Sequence, residues 1–250
     1  MAPSTVVLVT GVNEGIGRGL IEQYLSRPNH TVIGSVRDSK APAAQELKSL
    51  PTAEGSKLVL VSIESTSPTD PQQAVKDIEA SGIDHVDVVI ANAGYSPTPA
   101  PPDVVDIQDL IDSLQINTVA PVRLFQAVKP LLEKSSSPKW VSVSSAAASI
   151  ANLEVHNAAF VSAYGISKAG QDWFTVAVHS GNKNIIAFAI HPGLVQTEMG
   201  NAGARSMGME QAPNTIEESA TKTIDLIEKA TRETTSGKFI NVIDGSEFPW

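Results

Sequence analysis

The chain of 250 residues contains no cysteine. Disulfides, thiolate metal sites and cysteine nucleophiles are thereby excluded, and a reducing, cytoplasmic location is expected. Basic residues are scarce, with 18 Lys and Arg against 27 Asp and Glu and a formal net charge of −9. A nucleic-acid surface needs clustered cations to neutralise phosphates, so no nucleic-acid partner is expected. The five histidines are scattered at no zinc-like spacing, and no metal site is expected. No apolar stretch approaches the roughly 20 residues of a membrane helix. The run Val6 to Val9 is too short and lacks the basic flank of a secretion signal, so a soluble chain with neither leader nor anchor is expected.

What is present is alternation. Short β-branched runs at residues 6–10, 31–36, 58–61, 86–90, 140–144, 185–190 and 239–243 read as strands, separated by helical patterns of ten residues or more. Continuously apolar strands imply burial on both faces, and strands separated by helices imply right-handed crossovers. The expectation is an α/β single domain over residues 1–250, a Rossmann fold whose doubly wound seven-stranded parallel sheet carries helices on both faces in the order 3-2-1-4-5-6-7. Proline is dense at Pro97, Pro99, Pro101 and Pro102, which marks a loop.

Strand one runs into Thr10-Gly11-Val12-Asn13-Glu14-Gly15-Ile16-Gly17 and then a helical pattern. Gly11 suits the tight turn, Gly15 lets backbone approach a pyrophosphate, and Gly17 lets the helix sit against the sheet. The helix N-terminus offers free N–H groups and partial positive charge to phosphates. At the end of strand two, Arg37 can clamp a ribose 2′-phosphate by charge-assisted bonds, which favours NADP(H). Asp38 beside it could instead hold the ribose hydroxyl, and Glu14 adds negative charge near the phosphates.

Tyr164 and Lys168 stand four apart at the start of a helix, and at about 3.6 residues per turn they share one face. A free tyrosine ionises near pH ~10; an adjacent ammonium lowers that value and equips the phenol to exchange a proton with an alkoxide. Ser144 and Ser145 end the fifth strand, at the carboxyl edge where open α/β sheets bind ligands, and a hydroxyl there can polarise a carbonyl.

These motifs resemble the classical short-chain dehydrogenase/reductase family along essentially the whole chain. Residues 10–17 are similar to its TGxxxGxG turn, Asn92-Ala93-Gly94 to its NAG segment, Tyr164 to Lys168 to its YxxxK, and Pro192-Gly193 with Thr197 to its PGxxxT segment. Ser145 matches the family's catalytic serine and Asn117 its helix-four asparagine. Within the family, Ser35-Val36-Arg37-Asp38, the His191-Pro192-Gly193 triplet and the ending Asp244 to Trp250 resemble sniffer-type carbonyl reductases and norsolorinic acid ketoreductases.

The resemblance implies a catalytic set of Asn117, Ser145, Tyr164 and Lys168. In it Lys168 bonds the nicotinamide ribose, Asn117 helps hold a relay water and Ser145 stabilises the carbonyl. Cofactor contacts are implied for Gly11, Asn13, Gly15, Ile16, Gly17, Arg37, Ser62, Ile63, Asn92, Ala93, Gly94, Tyr164, Lys168, Pro192, Gly193, Val195 and Thr197. Ser62 departs from the acid more usual there. The expected activity is NADPH-dependent reduction of a ketone or other carbonyl to an alcohol. Two alternatives are an NADP-binding redox sensor without turnover and a family dehydratase or epimerase. The partner is a small carbonyl or alcohol substrate, chosen by loops at residues 95–102, 146–163 and 194–213; Phe160, Met199 and Met207 suggest a bulky apolar or aromatic one. Helices at residues 107–132 and 162–178 resemble those through which family members pair, so a homodimer or homotetramer is expected.

Overall fold

The computed structural model of the protein describes residues 4–250. The expectation of no leader therefore falls in part on residues 1–3, outside the described residues. In chain order the elements are β1 (Thr5–Thr10), α1 (Gly15–Leu25), β2 (His30–Val36), α2 (Pro42–Glu46), β3 (Lys57–Ser62), α3 (Asp70–Ala80) and β4 (Val88–Ala91). There follow α4 (Ile107–Leu114), α5 (Ala120–Leu132), β5 (Lys139–Val143), α6 (Ser162–Gly181), β6 (Ile186–His191), α7 (Glu198–Ser206), α8 (Ile216–Lys229), β7 (Phe239–Asn241) and β8 (Glu247–Phe248).

The strands form one sheet in the order β3-β2-β1-β4-β5-β6-β7-β8. The seven expected strands are parallel to their neighbours, which matches the reading from the sequence. The count itself is corrected from seven to eight, because β8 folds back antiparallel on β7 and pairs Phe239 with Phe248. A strand of two residues carries no periodicity to read. The loop expected over residues 194–213 is corrected too, since α7 lies inside it, N-capped by the Thr197 hydroxyl on Gly200 N–H at 2.9 Å.

Strand alternation sorts the core onto two faces. Val7 and Val9 pack with Leu20, Ile21 and Tyr24 of α1 and Ile224 and Ile227 of α8. Val6 and Leu8 point the other way, to Ile78 of α3, Leu124 and Val128 of α5, and Trp140. Trp140 is fully buried and meets Phe125 edge-on at 5.2 Å. Its loss would cost about 3–5 kcal/mol.

Two features of this frame place the site. Strand order reverses at β1, which lies between β2 and β4, so a crevice opens beyond the carboxyl ends of β1 and β4. Between α4 and α5, residues Gln115–Val119 form a π turn in which Ala120 N–H reaches back to Gln115 O. This extra residue rotates Asn117 inward, where it is fully buried.

Candidate active site

The crevice is a cavity of about 480 Å³ bounded by the turn after β1, the end of β2, the segment after β4 and the start of α6. Its phosphate end is made almost wholly of backbone. Gly11 and Gly15 have φ of 71° and 56°, the left-handed region that glycine enters without a Cβ penalty. A Cβ on Gly17 would stand 2.1 Å from the Gly11 carbonyl oxygen, so only glycine lets α1 start this close to β1. No side chain caps α1, whose N-cap residue is Glu14, and its first-turn N–H groups are left facing the cavity.

The segment after β4 fastens this cradle. Asn92 and Ala93 N–H both donate to the Thr10 hydroxyl at 3.0 Å, and Asn92 Nδ2 donates to the Thr10 carbonyl at 2.9 Å. Gly94 lies so close to Lys168 that a Cβ there would come within 3.4 Å of Nζ. A dinucleotide fits this surface: an uncapped helix start for the pyrophosphate, a glycine cradle that a side chain would fill, and an exposed cation at the far end.

That cation is Arg37, exposed at the cavity rim beside Ser35 and Val36. Asp38, the competing ribose ligand, turns back on its own loop and accepts from Lys40 N–H at 2.9 Å. The Ser62 hydroxyl is likewise engaged, accepting from Ser39 N–H at 3.0 Å and donating to Ser39 Oγ at 2.9 Å. Ser62 thus braces the Arg37 loop from behind, and Ile63 lines the cavity in its place.

At the other end, α6 brings Tyr164 and Lys168 to the cavity together, with Nζ 5.8 Å from the ring centroid. Lys168 is buried and donates to Val143 O at 2.7 Å and Gln171 Oε1 at 3.0 Å. An ammonium has three donors, so one remains. Burial pushes the Lys168 pKa down to about 8, against the attraction of Asp172. Burial pushes the Tyr164 phenol up to about 12; the Ser145 hydroxyl lowers it and Asp172 adds to the rise. The Ser145 hydroxyl also accepts from Ala147 N–H at 3.3 Å. Of the two serines that end β5 in the sequence reading, Ser144 lines the cavity, and Ser145 acts on the Tyr164 phenol from beside it.

Asn117 acts as a strut. Its Oδ1 accepts from Tyr95 N–H at 2.8 Å, while Nδ2 donates to Tyr95 O at 2.7 Å and Ser167 Oγ at 2.9 Å. The side chain is committed to joining the segment after β4 to α6.

Of the other expected residues, Asn13, Ile16, Pro192 and Thr197 line the cavity. Gly17, Gly193 and Val195 stand behind it. Gly193 has φ 89°, with a Cβ position only 2.7 Å from Asn214 Oδ1, and buried Val195 bridges to Asn214. Sequence reasoning missed Ile116 in the π turn and Ala120, Pro121 and Leu124 on α5, which form a wall of the cavity, and Glu64 and Ser65 beyond Ile63. Ala120, Pro121 and Leu124 follow the π turn, and no local pattern marks that turn. His191 and His156 are explained by packing: both rings lie against Phe248, at 5.5 and 5.4 Å. Among the described residues no group of three or more His, Asp or Glu could hold a metal, and no helix is long and apolar enough to cross a membrane.

Comparison with known proteins agrees with this geometry. The short-chain dehydrogenase srdF of Neurospora crassa is 50% identical over 250 residues, covering 99% of this chain and 98% of that protein. The norsolorinic acid ketoreductase of Aspergillus parasiticus is 42% identical over 98% of this chain and 91% of its own length. Among solved structures, NADPH-bound carbonyl reductase from chicken fatty liver superposes with a TM-score of 0.86 at 29% identity, covering 99% of this chain and all of that one. The carbonyl reductase Sniffer of Drosophila melanogaster gives 0.83 at 25% identity, again over 99% and 100%. The short chain dehydrogenase family profile matches residues 5–207, and the protein belongs to that family of oxidoreductases.

Proposed function

We propose that the protein reduces a bulky apolar or aromatic ketone to the alcohol with NADPH, using Tyr164 as the proton donor. The observation that carries this reading is that Tyr164 and Lys168 stand together at one end of a cavity whose other end is a phosphate cradle with Arg37 at its rim. When bound, NADPH supplies the hydride. The remaining work falls to side chains of this protein. Ser145 hydrogen-bonds the carbonyl oxygen and Tyr164 protonates it as it becomes an alkoxide. The free donor of Lys168 holds the ribose, and its charge makes the phenol more acidic than burial alone would leave it. Asn117, its amide spent on Tyr95 and Ser167, positions the NAG segment and leaves any water contact to its main chain. Arg37 reads the 2′-phosphate, Ile63 the adenine. Pro192 and Thr197 close over the nicotinamide, with Gly193 and Val195 shaping that turn.

A bulky substrate is favoured by the rim. Met199, at the start of α7, lines the cavity and is 42% exposed. A flexible thioether there suits an apolar guest. A redox sensor needs no tunable phenol, which disfavours that alternative, and the ketoreductase relatives disfavour a dehydratase or epimerase. The test is NADPH consumption with a panel of ketones. Turnover highest for aromatic or polycyclic ketones is expected; turnover confined to small hydrophilic ones would overturn the substrate assignment.

We also assign a two-fold homo-oligomer, dimer or tetramer, paired through α4 and α6. Trp173 is 75% exposed on α6, and Ile107 and Ile111 are 63% and 45% exposed on the adjoining α4. Light scattering should return two or four times the monomer mass, and Trp173→Arg should lower it. The cysteine-free composition supports a cytoplasmic location.

A further inference from the structure

Tyr164, Lys168 and Asp172 are successive rungs four residues apart along α6, so they share one helical face. Asp172 is only 4% exposed, and neither of its carboxylate oxygens closes a hydrogen bond of normal geometry. The Ser144 hydroxyl, just beyond β5 and 2% exposed, is in the same condition. A buried, unsatisfied carboxylate costs several kcal/mol unless a charge compensates it. The compensating charge in reach is Lys168, one turn back. Gln171, on the other side of the ammonium, supplies Oε1 at 3.0 Å but no charge.

We propose that Asp172 is a positioning residue for proton transfer: its buried carboxylate is the fixed counter-charge that keeps Lys168 protonated and aimed at the ribose end of the site beneath Tyr164. The inference rests on the ketoreductase reading and adds a third member to its Tyr and Lys pair.

The electrostatics run in the same sense. Burial raises the Asp172 pKa to about 7, opposed by the Ser144 hydroxyl and the Lys168 ammonium. Asp172 in turn raises Lys168 and Tyr164. No ionisable group of α4, α5, β5 or β6 contributes to Asp172 or Lys168, and Tyr164 on their own helix is the third group coupled to the carboxylate. Removing the carboxylate charge makes Lys168 lose its proton, and Tyr164 ionise, at lower pH. Both effects move the alkaline limit of ketone reduction in one direction.

The experiment compares wild type, Asp172→Asn and Asp172→Glu by two readouts between pH 6 and 10. These are NADPH affinity from cofactor fluorescence and turnover of a quinone such as phenanthrenequinone. The expected result for Asp172→Asn is an alkaline midpoint about one pH unit lower in both readouts, with partial return in Asp172→Glu. Unmoved midpoints, even with a lower rate, would overturn the proposal, because a merely structural role changes amplitude and not midpoint.

If Asp172→Asn does not fold, thermal melting of Lys168→Met decides. A carboxyl raised above its ordinary value keeps its proton in the folded state after the unfolded chain has lost it, so its burial costs stability as pH rises through that interval. Without the ammonium the interval extends upward past about 7. Lys168→Met should therefore lose stability relative to wild type as pH rises from 6 to 8, below the range in which the wild-type Lys168 itself titrates, and a pH-independent difference over that interval would overturn the proposal. Failure of wild type to bind NADPH or reduce any ketone would sink the functional reading instead, and the melting comparison would still judge Asp172.

Discussion

The two ends of the cavity are built from different materials. At the nucleotide end the contacts are backbone groups held by short range geometry: left-handed glycines, an uncapped helix start, and Thr10 pinned to Asn92 and Ala93. At the substrate end the groups that reach the cavity are side chains, Tyr164 and Lys168 on α6 and Met199 on α7, the last 42% exposed. Backbone recognition tolerates little change, because a Cβ on Gly17 has nowhere to go. Side-chain recognition is adjustable, because a methionine can be exchanged without disturbing the sheet.

The hinge between the two ends is Tyr164, and its removal has the largest expected effect. Tyr164→Phe deletes the proton donor and leaves the cradle intact, so turnover should fall about 100- to 10,000-fold. NADPH affinity measured by fluorescence should stay close to wild type. If both fall together, the two ends are not separable as described.

A smaller effect tests the nucleotide end alone. Arg37 is an exposed cation at the ribose end, and a charged hydrogen bond contributes about 1.5–3 kcal/mol, or roughly ten- to 150-fold in affinity. Arg37→Ala should weaken NADPH by that order and leave NADH unchanged, and Arg37→Asp should reverse the preference. Equal losses for both cofactors in titration would mean that Arg37 does not read the 2′-phosphate.

Legibility in the sequence divides along the same line. The glycine turn, the strand-end Arg37 and the Tyr164 and Lys168 pair are local patterns, and each lies where its spacing implied. The features that escaped are tertiary. The π turn at Gln115–Val119 reads as ordinary helix, since Asn117 is drawn inward by Tyr95 and Ser167. Strand β8 exists because Phe248 packs on Phe239 and His191. Asp172 and Trp173 are the sharpest case: neighbours on α6 with the acid 4% and the tryptophan 75% exposed. A hydropathy pattern assigns them the other way round. The inversion makes sense only with Lys168 facing the one and, on the oligomer proposed above, a second copy of the chain covering the other.

The smallest effect belongs to the substrate end, and it separates a pocket wall from a surface residue. Met199 lines the cavity beside Glu198 and is 42% exposed at the start of α7, so its thioether is free to close on a guest. Each methylene of apolar contact is worth about 1–3 kcal/mol in discrimination, of which a half-exposed contact realises the lower part. Met199→Ala should therefore lower kcat/KM for a polycyclic ketone by about tenfold and leave a small ketone such as acetone within about twofold. The loss should appear mainly in KM, since the side chain contacts substrate and transition state alike. NADPH affinity should not move, because the cradle holds the cofactor through backbone and Arg37. If Met199→Ala slows large and small ketones equally, α7 acts on the cofactor rather than on the substrate, and the boundary between the two ends lies further out than Thr197.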